Sequence, residues 1–142
     1  KEFEEKMIQV SRVSKKTKGG NRASFSALMV VGDKKGRVGV GLGKAGNVTS
    51  AMQKAVTYAV KHFINVPFKG TTIPHEIRIK YGAARLLLKP APVGSGVIAG
   101  GAVRAVVETA GIRDVVAKCL GTSNKISNTY AVIKALKMLK KV

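Results

Sequence analysis

Carboxylates are scarce in this chain. Seven Asp and Glu stand against 26 Lys and Arg, a formal net charge of +19 over 142 residues. An ordinary solvated surface mixes both signs, so this imbalance excludes a surface built only for solubility and implies a polyanionic partner, nucleic acid before an anionic membrane. Cysteine occurs once, as Cys119, which excludes an internal disulfide and a cysteine zinc site and fits a reducing compartment. No apolar run approaches the roughly 18 residues that span a bilayer, and no signal-peptide pattern is visible. The aromatics are three Tyr and four Phe without tryptophan. No strand carries an exposed aromatic pair, so stacking of single-stranded bases is a poor fit, and the phosphates and shape of folded or double-stranded RNA are a better one.

Catalytic groups are equally sparse. His62 follows Lys61 on a helix and His75 opens a strand after a proline, neither with a candidate catalytic carboxylate partner. Glu108 and Asp114 flank a helix end and read as counter-charges for nearby bases. No paired carboxylates and no nucleophile–base constellation are visible, and Cys119 reads as a buried strand residue. The sequence offers no catalytic residue, no metal site and no cofactor site.

What the chain does have is a folded protein's apolar content, 45%, enough for one ordinary domain or two small ones. Met7 to Val13 alternates, with Ile8 and Val10 on one face. Ala23 to Val31 alternates again through Phe25, Ala27, Met29 and Val31, and Arg37 to Gly43 sets Val38, Val40 and Leu42 against Gly39, Gly41 and Gly43. Period two predicts strands, and hairpin connections make them an antiparallel meander of three. A helix follows, with capping-box spacing at Ser50 and Gln53. Met52, Ala55, Val56, Ala59, Val60 and Phe63 recur at helical spacing to cover the sheet. Asn65-Val66-Pro67 ends that half, giving units at 1–66 and 67–142. In the second half His75–Tyr81, Arg85–Lys89 and Val115–Leu120 read as strands. Ala102–Ala110 reads as a helix closed by Gly111. A last helix is capped by Ser123 or Asn124, with Tyr130, Ile133, Leu136 and Leu139 inward. The class is α+β.

Between the first two strands lies the most basic stretch: Arg12, Lys15, Lys16, Lys18, Gly19, Gly20 and Arg22. A solvated loop is the bland reading of such a run. A glycine hairpin tip in a chain of this charge favours insertion into folded RNA, where phosphates attract the cations and missing side chains permit close approach. No carboxylate occurs between Asp33 and Glu76, an interval holding Lys34, Lys35, Arg37, Lys44, Lys54, Lys61 and Lys69. Arg37, Lys44 and, further on, Arg85 join the predicted RNA contacts.

Two glycine patterns need weighing. Gly41-Leu42-Gly43-Lys44-Ala45-Gly46 matches G-x-G-x-x-G, but the acid that binds a ribose about 20 residues later is absent and the strand belongs to a meander. The glycines instead let a helix, or RNA, approach the strand. Gly94-Ser95-Gly96 with Gly100-Gly101 before a helix offers an anion site on backbone amides or a tight turn with close packing.

Taken in order, several segments resemble the bacterial-type small-subunit ribosomal protein S-five family. They are Arg12-Val13-Ser14-Lys15 with Lys18-Gly19-Gly20, Phe25-Ser26-Ala27-Leu28, Val30-Val31-Gly32-Asp33 and Gly36-Arg37-Val38-Gly39 through Gly43-Lys44-Ala45. Ile64-Asn65-Val66, Lys89-Pro90-Ala91, Gly94 through Val106 and Ala117 through Asn124 follow. The resemblance implies a double-stranded-RNA-binding-like N-terminal domain of three strands and a helix, then a C-terminal α+β domain with a left-handed βαβ crossover. It implies a structural role in the ribosome: binding small-subunit rRNA, supporting assembly and accuracy, and helping to line the path by which mRNA enters. It places the Lys18-Gly19-Gly20 tip near the spectinomycin site. It also turns Gly96 and Arg104 toward ribosomal protein S-four and the C-terminal part toward S-eight. Such a protein works in the cytoplasmic ribosome, or an organellar one, without a membrane partner. The rival readings are a free-standing RNA-binding regulator or chaperone and, less well supported, a nucleotide-using enzyme.

Overall fold

The computed structural model describes residues 3–17 and 19–140; of residues 13–17 and 21–23 it describes the backbone alone. The first half is β1 (Glu4–Thr17), β2 (Gly20–Gly32), β3 (Arg37–Ala45), α1 (Val48–Lys61) and β4 (Ile64–Asn65). The second is β5 (Ile77–Tyr81), β6 (Ala84–Pro90), β7 (Val97–Ile98), α2 (Gly101–Ala110), β8 (Val115–Leu120) and α3 (Lys125–Met138). The sheets run β1-β2-β3-β4 and β5-β6-β8-β7. The first is wholly antiparallel; the second is mixed, because β7 pairs with β8 in parallel.

The expected three-stranded sheet therefore has four strands. Ile64 and Asn65, anticipated only as the end of a helix, pair with Val38 and Arg37. The expected face of β1 is corrected too. The register shifts between Met7 and Gln9, so a bulge at Ile8 reverses the alternation. Val10 then lies across from Ala27, while Ile8 packs on the core of the opposite side.

The glycine alternation in β3 is resolved in favour of the helix. Ala51, Ala55 and Ala59, four residues apart on α1, are fully buried. A Cβ on Gly39, Gly41 or Gly43 would collide with the backbone of Ala59, Ala55 or Ala51 respectively. Small residues on both surfaces bring helix and strand into backbone contact. The larger residues assigned to the buried stripe lie off its centre: Met52 and Val56 are half-buried, and Val60 is exposed. The cap also differs from expectation. Asn47 caps α1, its Oδ1 accepting from the Ser50 amide at 2.8 Å, a contact that contributes about 1 kcal/mol. Ser50 receives the cap instead of providing it.

The other face of the first sheet belongs to one core shared by both halves. Leu28, Val30, Val38 and Val40 cluster with Ile73, Leu88, Val103, Val106, Val115 and Leu136. Backbone bonds reinforce the joint: Lys34 N–H donates to the Thr109 carbonyl (3.0 Å) and Gly36 N–H to Ala110 (2.9 Å), while within the first half Val66 N–H donates to Gly36 (2.7 Å). The turn of residues 33–36 thus satisfies the last carbonyls of α2, which a helix cannot bond internally. Asn124 caps α3, accepting from the amides of Ile126 and Ser127.

Candidate nucleic-acid interface

The most basic stretch is an arm. β3 accompanies β2 only to Phe25↔Ala45. Beyond that point Val13↔Ser24, Ser14↔Ala23, Lys15↔Arg22, Lys16↔Asn21 and Thr17↔Gly20 pair with each other alone, a projection of about 16 Å at ~3.3 Å per residue. The strands continue past the last apolar alternation because a two-stranded ladder needs only backbone groups. Gly20 sits at φ +124°, and among the described residues a Cβ at Gly19 or Gly20 would meet nothing within 4 Å. Lys18 lies outside the described residues. Arg12, exposed, stands at the root of the arm opposite Phe25. Lys15 lies directly across from Arg22 in the backbone register.

Of the remaining predicted contacts, Lys44 is near the root and exposed, its carbonyl accepting from Lys54 Nζ at 3.2 Å. Arg37 is not gathered into this group. It pairs with the opposite end of the sheet, about 40 Å from the tip at ~3.3 Å per residue. There its Nε donates to Asp33 Oδ2 at 3.2 Å, and its guanidinium lies over the rings of Phe3 and Phe63 at 5.3 and 5.5 Å. Desolvation opposes ionisation of Asp33, but hydrogen bonds from the Lys35 and Arg37 amides and the Arg37 side chain prevail, and its pKa is lowered. Arg85 is exposed on β6 of the second sheet, a separate surface.

Gly94-Ser95-Gly96 carries an internal anion. Asp114 is almost fully buried, and its Oδ1 accepts from the amides of Gly94 (3.1 Å) and Gly96 (2.8 Å) while Oδ2 accepts from the Thr71 hydroxyl. Both glycines have positive φ, 94° and 76°, so the loop is a turn wound around this carboxylate, and those amides are not free for an external phosphate. Asp114 is thus a loop anchor rather than the counter-charge expected from sequence; its partners lie 18 to 43 residues away, beyond any local signal. Glu108 does balance charge, accepting from Arg104 Nε at 2.6 Å and Lys6 Nζ at 3.1 Å. Arg104, mostly exposed, is drawn by this bond toward Glu108, one turn further along α2.

The Thr71 hydroxyl foremost, then the Gly96 and Gly94 amides, hold the Asp114 pKa below the ordinary 3.8. A folded-state pKa below the unfolded one contributes stability that is complete above the unfolded value and disappears as pH falls through the folded one. Asp114→Ala is therefore expected to lower the urea midpoint at pH 7 clearly more than at pH 2.5. An equal loss at both pH values would show that the ionised carboxylate is not the anchor.

Both histidines are held by local contacts. His62 stacks on Tyr58 at 3.9 Å and bonds the Tyr58 carbonyl through Nδ1. His75 bonds the Glu76 carbonyl through Nδ1 and accepts from the Lys140 amide at Nε2. Burial raises the pKa of Cys119 on β8. Among the described residues no three His, Cys, Asp or Glu group as metal ligands, and no helix is long and apolar enough to cross a membrane.

The chain matches the family of ribosomal protein S5, N-terminal domain, over residues 3–67 and that of ribosomal protein S5, C-terminal domain, over residues 79–142. It belongs to the ribosomal protein S5 family. It is similar to small ribosomal subunit protein uS5 of Campylobacter jejuni strains 81-176, 81116 and RM1221. Identity to each is 52% over 139 residues, covering 98% of this chain and 95% of the relative. Membership makes the chain a structural protein of the ribosome and not an enzyme. The G-x-G-x-x-G pattern is then a packing device, as the contact of β3 with α1 already requires.

Proposed function

We propose that this protein binds small-subunit rRNA chiefly through the β1–β2 arm, and through that contact supports small-subunit assembly and accurate decoding. The observation that carries the reading is the arm itself: a backbone-paired projection whose sequence holds Lys15, Lys16, Lys18 and Arg22 and whose turn carries Gly19 and Gly20. Cations concentrated on one projection gain most against a line of phosphates. Arg12 and Lys44 extend the cationic surface to the root of the arm. Arg37 acts here as a clamp on Asp33 and two rings rather than as part of the arm's cationic surface.

The same reading divides the chain at residues 66 and 67 into a double-stranded-RNA-binding-like unit and an α+β unit with a left-handed crossover at β7-α2-β8. It directs the Gly96 turn and Arg104 toward ribosomal protein S-four, the C-terminal part toward S-eight, and the neighbouring surface toward incoming mRNA, with the arm tip beside the spectinomycin site. Sedimentation of a cell extract through sucrose tests it. Stoichiometric co-migration with the small subunit, persisting in moderately high salt, is expected. A chain that remains at the top of the gradient would be a free-standing RNA-binding protein instead.

A further inference from the structure

The second sheet is covered on one face only. Its inner residues, Ile77, Ile79, Leu86, Leu88, Val115 and Ala117, pack into the core, with α3 lying against β5 and β6. The register puts the other residues of these strands together on the outer face. Lys80 is across from Arg85 and Arg85 from Leu120; Arg78 is across from Leu87 and Leu87 from Lys118; Lys89 is across from Val116 and Val116 from Ile98. This face is graded. Arg78 and Lys80 hold β5, Arg85 and Lys89 flank Leu87 on β6, and Val116, Leu120 and Ile98 lie on β8 and β7 with Lys118 between the first two; Leu120 is 58% and Ile98 56% exposed. A shallow cleft of about 640 Å³ runs along it between Arg78 and Leu120. Among the described residues, the carboxylate paired with a cation of this face is Glu76, 3.9 Å from Lys89. Among the described residues, Arg78, Lys80, Arg85 and Lys118 have no carboxylate within ion-pair distance.

We infer that the outer face of the β5-β6-β8-β7 sheet docks an acidic amphipathic helix of a protein partner. Sheet faces are covered by helices because a helix presents one apolar stripe to them, and the inner face of this sheet is covered that way by α3. An occupant of the outer face must place aliphatic side chains over Val116, Leu120 and Ile98 and carboxylates over Arg78, Lys80 and Arg85. An acidic amphipathic helix does both at once. Nucleic acid satisfies only half of the face. Phosphates gain nothing against exposed aliphatics, and the face carries no aromatic ring on which a base could stack. A second copy of this chain would bring cation against cation.

The test is an NMR titration of the full-length, ¹⁵N-labelled protein. The probe is a helical peptide of about 18 residues, about 27 Å long, with leucines along one stripe and glutamates beside it. A control peptide has each leucine replaced by glutamine. The leucine peptide is expected to shift the amides of Arg85, Leu87, Val116, Lys118 and Leu120, saturably, and to bind at least ~10-fold tighter than its control. That is a difference of about 1.4 kcal/mol. Leu120→Ser with Ile98→Ser should abolish the preference while leaving the remaining spectrum intact, since both side chains are exposed. Lys15→Ala, Lys16→Ala and Arg22→Ala together should leave it unchanged. Equal binding of both peptides would overturn the inference, as would shifts confined to the arm. So would a short RNA duplex that shifts the same amides and binds the Leu120→Ser, Ile98→Ser variant undiminished. None of these outcomes touches the sedimentation result, so the two readings fail separately.

Discussion

Replacing Gly41 with alanine is expected to destabilise this protein by about 3 kcal/mol, the upper end of what overpacking ordinarily costs, and to lower its Tm by about 10 °C. The added Cβ would press on the Ala55 carbonyl oxygen and stand 2.9 Å from the Ala55 carbon and 3.0 Å from the Ala59 nitrogen. These are backbone atoms in the middle of α1, so no rotamer change relieves them and the whole helix must lift from the sheet. Gly39 and Gly43 repeat the arrangement one helical turn to either side, so the lift cannot be absorbed by tilting. Gly46→Ala is the matched control: a Cβ there meets nothing within 4 Å, and its Tm should stay within a degree or two. Thermal unfolding of the two variants, followed by circular dichroism, decides the matter. A Gly41→Ala protein as stable as the Gly46→Ala protein would show that the helix–strand approach is looser than described.

The second large effect is on RNA affinity. A protein that neutralises six to ten phosphates loses roughly 10³–10⁵ in affinity between about 50 and 200 mM salt, and each phosphate contact contributes about 0.7–0.9 to the log–log slope. The full chain should show that steep dependence on small-subunit rRNA. Replacing Lys15, Lys16 and Arg22 with alanine should flatten the slope by about 2 to 3 without changing the unfolding midpoint, since the arm projects beyond the last pairing with β3. Replacing Arg37 should do the reverse, lowering stability through the lost Asp33 and ring contacts with little change in slope. Filter binding across a salt series separates the two classes. A triple variant with the parental slope would move the RNA contact off the arm.

The order of elements was largely legible from alternation and helical spacing, and the misses have identifiable causes. β4 and β7 are two residues long, too short for any period to register. The bulge at Ile8 is a one-residue event that reverses a face without altering the local pattern of apolar and polar residues. The buried stripe of α1 was sought among its larger apolar residues, whereas opposing glycines make alanine the residue that fits. The arm was underestimated because its distal strands are polar: nothing in Ser14 to Arg22 alternates, and the pairing there is carried by the backbone. As to the site, the density of cations and the tip glycines could be read from sequence alone. The separation of Arg37 from the arm could not, and neither could the capture of the Gly94 and Gly96 amides by Asp114, because both arise from contacts between distant segments.

The bonds from Lys34 and Gly36 to the end of α2 bear on how the chain is made. Synthesis proceeds from the N-terminus, so the turn of residues 33–36 leaves the ribosome with its donors pointing at nothing. Their acceptors, the carbonyls of Thr109 and Ala110, follow only after more than half the chain has been added. Until then the Leu28, Val30, Val38 and Val40 face of the first sheet is open to solvent, although α1 can already cover the other face. The nascent N-terminal half therefore passes through a stage with one finished side and one adhesive side, and release of the last helices is the event that closes it.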